Sequence, residues 1–130
     1  MSHFLRIKTQ LREREPLVQA LRTLHHEFKE GERLLVRGYQ GNRETADIVV
    51  DTHSNYDIGF RRTDQSYEVI ADWWGVQKDT PIRQESFLQQ IQQQYSYNII
   101  REQAREQDLV WEDEQTYENG EIVIILSERG

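Results

Sequence analysis

Trp73-Trp74-Gly75 is the most informative local feature of the chain. It closes a run in which Tyr67, Val69, Ala71 and Trp73 alternate with Glu68, Ile70, Asp72 and Trp74, the period of a strand. Neighbours on a strand face opposite sides, so burying both indoles requires both faces to be covered. One Trp in the core and one at a partner surface is the sharper reading, because Trp is enriched where partners bind. The plainer reading has the loop over 75–85 covering the second Trp. Trp73 and Trp74 are therefore the candidate partner-binding residues.

The most basic part of the chain holds Arg33, Arg37, Arg43, Arg61 and Arg62. Aromatic rings beside arginines on a sheet can stack nucleobases. On that alternative the contacts are Arg37, Tyr39, Phe60, Arg61 and Arg62. Glu30, Glu32, Glu44, Asp47 and Asp57 are interspersed with them, however, and cross-strand ion pairs explain the same residues. Ion pairing is the stronger reading.

Metal chemistry finds little support. His25 and His26 are adjacent, and on a helix they point about 100° apart, away from a shared ion. His26 and Glu30 have i, i+4 spacing, but Glu30 adjoins Gly31, a plausible helix stop. Glu112-Asp113-Glu114, with Glu118 and Glu121, lacks the calcium-loop pattern and reads as a charged edge strand. No dinucleotide fingerprint, phosphate loop or nucleophile elbow occurs, and Gly38-Tyr39-Gln40-Gly41 reads as a turn. An enzyme of unrecognised type is the weakest alternative, with His3, Asp57 and Asp72 its only candidate polar groups. No metal, cofactor or catalytic residue is expected.

These residues sit in 130 positions, enough for one domain with one core. Charged residues make up 30% of the chain, and the absence of Cys excludes disulfides, thiolate metal sites and cysteine nucleophiles. Residues 1–65 hold 11 basic and 10 acidic side chains, and residues 66–130 hold 5 and 13. The net charge of −7 makes non-specific attraction to nucleic acid an unlikely driving force. No apolar run is long enough to span a membrane, and the N-terminus lacks a signal-peptide layout. A soluble intracellular protein is expected.

The elements read as follows. Phe4, Leu5 and Ile7 begin a strand. Pro16 opens a helix whose stripe is Leu17, Leu21, Leu24 and Phe28, stopping at Gly31. Four strands follow: Leu34 to Tyr39, then runs centred on Ala46-Ile48-Val50, on Tyr56-Ile58-Phe60 and on Tyr67-Val69-Ala71-Trp73. After the 75–85 loop, Ser86 and Gln89 form a capping-box pattern for a helix reaching about Asp108, buried along Leu88, Ile91, Tyr95 and Ile99. Asn119-Gly120 turns a final hairpin. Its second arm, Ile122 to Leu126, is apolar on both faces and reads as a central strand under a helix. The expected fold is α+β over residues 1–130. A mostly antiparallel sheet carries two helices on one face, in the order β-α-β-β-β-β-α-β-β.

Several short stretches also resemble a known family. They are Ser2-His3-Phe4 leading to Ile7-Lys8-Thr9-Gln10, Arg37-Gly38-Tyr39 with Gly41, and Tyr56-Asp57-Ile58-Gly59-Phe60. Tyr67-Glu68-Val69 with Ala71-Asp72, and Phe87-Leu88 leading to Gln94-Tyr95, complete the set. The chain is similar over essentially its whole length to the hypothetical chloroplast reading frame thirty-five group, domain of unknown function 1257. The paired Trp73-Trp74 is not part of the resemblance. The resemblance implies a cyanobacterial cytoplasm or a plastid stroma. It carries no activity, cofactor or catalytic residue. It weakly favours a protein partner, such as a ring-type ATPase or a small companion protein. The leading expectation is a non-catalytic interaction protein, an adaptor or accessory subunit.

Overall fold

A computed structural model describes residues 3–119 and 121–129. Its elements are β1 (Leu5–Lys8), α1 (Arg14–Thr23), β2 (Glu27–Arg37), β3 (Arg43–Asp51), β4 (Asp57–Arg62), β5 (Tyr67–Ala71), α2 (Trp73–Asp79), α3 (Gln84–Glu106), β6 (Leu109–Thr116) and β7 (Ile122–Glu128). The first five strands form one antiparallel sheet in the order β1-β5-β4-β3-β2, and β6 and β7 pair by themselves. The fold is α+β, as the alternation of apolar residues indicates. Among the described residues, no helix is long and apolar enough to cross a membrane.

The helices cover one face of the five-stranded sheet. Leu17, Val18 and Leu21 of α1 meet Ile58 and Phe60 of β4, Val69 of β5 and Ile91 of α3 in one core. Phe60, Leu17 and Ile91 are fully buried. Each such side chain contributes about 1.5–3 kcal/mol by leaving water. The phenol of Tyr95 is buried with a purpose: its oxygen accepts from the Arg12 and Glu13 amides at 3.0 and 2.9 Å, tying α3 to the entry of α1.

The first helix is shorter than its apolar stripe suggests. It ends at Thr23, with Leu24 as cap and His25 left-handed at φ 63°. The His26 amide donates to the Leu21 carbonyl at 2.9 Å and the His25 amide to Arg22 at 3.0 Å. This is a Schellman closure with His25 where Gly is usual. Phe28 therefore lies on β2 and reaches the main core from a strand. Gly31 does not stop a helix. It falls inside β2, where the pairing with β3 shifts between Glu30 and Leu34. The two histidines occupy a turn, so the helical geometry argued for them does not apply.

Beyond that bulge, β2 packs a second, smaller cluster. Val36, Ala46 and Val49 meet Leu34 and Phe4 there. Ala46 thus parts company from Ile48 and Val50, which belong to the main core. Gly59 makes this possible: a Cβ there would lie 2.5 Å from Val36 Cγ2 and 2.9 Å from Ala46 Cβ.

Three further expectations are corrected. Trp73 and Trp74 do not end a strand; they open α2, because the Asp72 carboxylate accepts from the Gly75 amide at 3.3 Å and caps the helix. The long helix starts at Gln84 with Arg83 at its cap, and the Ser86 hydroxyl donates back to the Arg83 carbonyl at 3.3 Å. Finally, β7 is not a central strand. Among the described residues its only strand partner is β6, and Val123 and Ile125 are 42% and 49% exposed. Gly120 of the expected Asn119-Gly120 turn lies outside the described residues.

Candidate functional site

The site is built around Asp72, which is 1% exposed. One carboxylate oxygen takes the Gly75 amide, and the other takes the Tyr39 amide at 3.3 Å. Tyr39 belongs to a short 3-10 turn, Tyr39–Gly41, between β2 and β3. One buried acid therefore fixes both the start of α2 and a turn 33 residues earlier in the chain. The consequence is an aromatic pair on the surface. The Tyr39 and Trp74 rings meet edge-on with centroids 5.8 Å apart, and the Lys78 ammonium lies 4.8 Å from the Trp74 ring. Trp74 is nonetheless 50% exposed.

Trp73 turns the other way. It is 5% exposed and packs against Phe87 at 5.8 Å between centroids. Its indole N–H is buried without a hydrogen-bond acceptor. The two neighbouring indoles thus divide between core and surface, through a helix start and not through strand alternation. Gly75 follows because Tyr56 lies flat against it: a Cβ there would sit 2.1 Å from Tyr56 Cε1.

The arginine and aromatic set is dispersed. Arg37 is held by Asp57 and by the Ser54 carbonyl, at 2.8 Å from the latter. Arg61 pairs with Glu68, its Nε donating at 2.9 Å. Arg62 donates to the Arg12 carbonyl and lies 5.2 Å from the Tyr67 ring centroid. Phe60 is wholly inside the core, where no base can reach it. Tyr39 belongs with Trp74. Of the polar groups considered for catalysis, Asp57 is buried against Arg37, Asp72 is a structural cap, and His3 is exposed.

One grouping is invisible in the linear chain. Glu27 and Asp51 are direct partners across β2 and β3, and His53 lies beside them. One ligand atom from each lies within 4.8 Å of the others. The His53 ring nitrogen Nε2 is 3.4 Å from Glu27, and the His53 amide donates to Asp51 at 2.8 Å. Such a set could hold a hard cation, but all three residues are exposed, and exposed acids commonly stand together without an ion. Strand register, unreadable from spacing alone, brings them together.

The acidic hairpin stands on the far side of α3. The Tyr97 hydroxyl donates to Glu114 at 3.3 Å, and the Tyr97 and Trp111 rings lie 5.3 Å apart. Burial, with Glu114 adding to it, pushes the Tyr97 phenol up, so it remains a donor.

These features define a small α+β protein with a half-exposed Trp74 braced by a partly buried Tyr39 and no recognisable reaction centre among the described residues. The chain belongs to the family described as protein of unknown function (DUF1257), whose model matches residues 20–125. It is similar to the uncharacterized protein ycf35 of Cyanophora paradoxa, with 31% identity over 97% of this chain and 96% of the relative. The ycf35 protein of Guillardia theta is 35% identical over the same shares. That of Pyropia yezoensis is 27% identical, again over 97% and 96%. No solved structure matches the chain.

Proposed function

We propose that this protein is a non-catalytic interaction subunit that contacts a protein partner through Trp74, with Tyr39 and Lys78 completing the surface. The observation behind this reading is that Trp74 is half exposed while its ring is held on two sides. A large ring already fixed in place loses little freedom on binding, which is how interface anchors behave. Trp73 supports the surface from within and does not itself reach a partner. A ring-type ATPase or small companion protein is the partner class that the family resemblance suggests, and cyanobacterial cytoplasm or plastid stroma is the proposed setting.

The test is affinity capture from native extract with wild-type protein and with Trp74→Ala, the fold of the variant being checked by thermal unfolding. A defined protein retained by wild type and lost by the folded variant supports the reading. Equal capture by both, or none by either, removes it.

A further inference from the structure

The outer face of the five-stranded sheet, away from the helices, carries a groove of about 530 Å³. Leu34, Leu35 and Val49 contribute its apolar part, and Leu35 is 52% exposed. Four basic residues line it, against two acids, Asp51 and Asp57. Asp57 is already bound by Arg37. Lys29, Arg33 and Arg43 form no ion pair with any described residue. An acidic protein thus keeps three unpaired cations around one exposed leucine. The β2 bulge helps to create this, holding Arg33 left-handed at φ 52°.

The complementary surface is on the hairpin. Residues directly opposite on paired strands share a face. Asp113 opposes Ile125 and Gln115 opposes Val123, so these four form one face. The other face, with Ile122 and Ile124, lies over Tyr97 and Ile100 of α3. Val123, Ile125 and the adjoining Tyr117 are 42%, 49% and 50% exposed. Three of the six large apolar side chains exposed on the described surface therefore belong to this hairpin, two on β7 and Tyr117 just past the end of β6. A two-stranded sheet with one bare apolar face is marginal alone and gains most from being covered.

We propose that the apolar, acidic outer face of the β6–β7 hairpin docks into the basic groove of a second copy of this chain. Charge and apolar character match on both sides: Asp113 and the neighbouring Glu112 toward Lys29, Arg33 and Arg43, and Ile125 and Val123 toward Leu35. The hairpin of the same chain does not serve, because α3 and the sheet stand between it and the groove. A contact joining two different surfaces closes as a reciprocal pair when each hairpin reaches the other copy's groove, and otherwise runs head-to-tail into a ring or a filament. This surface is separate from Trp74.

Light scattering and sedimentation velocity on the full chain test this. Wild type should exceed the 15.6 kDa of one chain, increasingly so with concentration. The excess should shrink as salt rises from about 0.05 to about 0.5 M, since charge pairing is screened. A groove variant, Lys29→Glu/Arg33→Glu/Arg43→Glu, and a hairpin variant, Glu112→Lys/Asp113→Lys, should each remain single chains. Their equimolar mixture should assemble again, because both of its contacts are complementary. Circular dichroism confirms that each variant is folded, and glutamine replacements at the same positions serve if one is not. A wild type that stays at one chain's mass overturns the proposal. So does association unchanged by the reversals, or a mixture that fails to recover.

Discussion

The Arg37 guanidinium and the Asp57 carboxylate meet side by side, Nε to Oδ2 and Nη2 to Oδ1, both at 2.9 Å. The Arg37 amide adds a third bond to Oδ2 at 2.9 Å. Asp57 is 5% exposed, so this acid left water only because one residue of β2 supplies most of its hydrogen bonds. The pair joins the far end of β2 to the start of β4, strands that are not neighbours in the sheet.

Removing either partner should therefore be costly. Arg37→Ala leaves a buried carboxylate without its counter-charge and should lower unfolding free energy by about 2–3 kcal/mol. Asp57→Asn should cost less, because the amide keeps one acceptor. In a double-mutant cycle by urea denaturation, the two losses should fall short of additive. Strict additivity would mean that the pair contributes nothing as a pair.

Gly75→Ala should destabilise the protein even though it sits in a helix. Ala gains about 1 kcal/mol of helix propensity over Gly. The new methyl would collide with the Tyr56 ring, and overpacking of this kind costs about 1–3 kcal/mol. Since Asp72 caps the same turn, the variant should also loosen Trp74. Its melting temperature and Trp fluorescence report the two effects separately. A higher melting temperature would contradict the packing argument.

The adjacent tryptophans should behave as opposites. Trp73→Ala empties a core position and should cost about 3–5 kcal/mol. Trp74→Ala should stay within about 1 kcal/mol of wild type, its losses being exposed contacts. Acrylamide should quench Trp74 readily and Trp73 poorly, compared in variants that retain one Trp at a time, with Phe at the others. Equal quenching would refute the assignment of one indole to the surface.

His26 makes stability depend on acidity. Burial against Phe87, ring centroids 5.1 Å apart, lowers its pKa below 6.5, and the adjacent His25 lowers it further. The unfolded chain then takes up the proton first as pH falls. Stability is unaffected well above 6.5 and declines as pH drops through that value toward the lower folded pKa. His26→Gln should flatten this part of the profile in urea titrations at closely spaced pH. An unchanged slope would assign the decline to other groups.

Some of the site was legible without a structure. The adjacent indoles leave two readings open in the sequence, one ring inside and one outside or both covered, and Trp73 and Trp74 follow the first. Alternation alone predicts a strand there. Asp72 converts the run into a helix by offering its carboxylate to the Gly75 amide, a local bond that competes with strand alternation. Proximity in the chain groups Tyr39 with the arginines. Its amide bond to Asp72 sends it to Trp74 instead. Alternation places Phe60 on one face with Tyr56 and Ile58, and only the packing shows that this is the face of β4 the helices cover.

Patterns of side chains along the chain determined the fold class, the meander of strands, the long helix with Ile91 and Tyr95 on its buried side, and the acidic hairpin. Each follows from local periodicity and turn chemistry, which need no distant partner. Tertiary structure decided the rest. It ended α1 at a left-handed His25, gave Phe28 to a strand, separated Ala46 from Ile48 across the sheet, and left β6 and β7 to pair alone outside the main sheet. It also joined Arg37 to Asp57 across 20 residues and Tyr39 to Asp72 across 33. Such pairings depend on register and on which face is covered, and these are set by the packing of the whole chain.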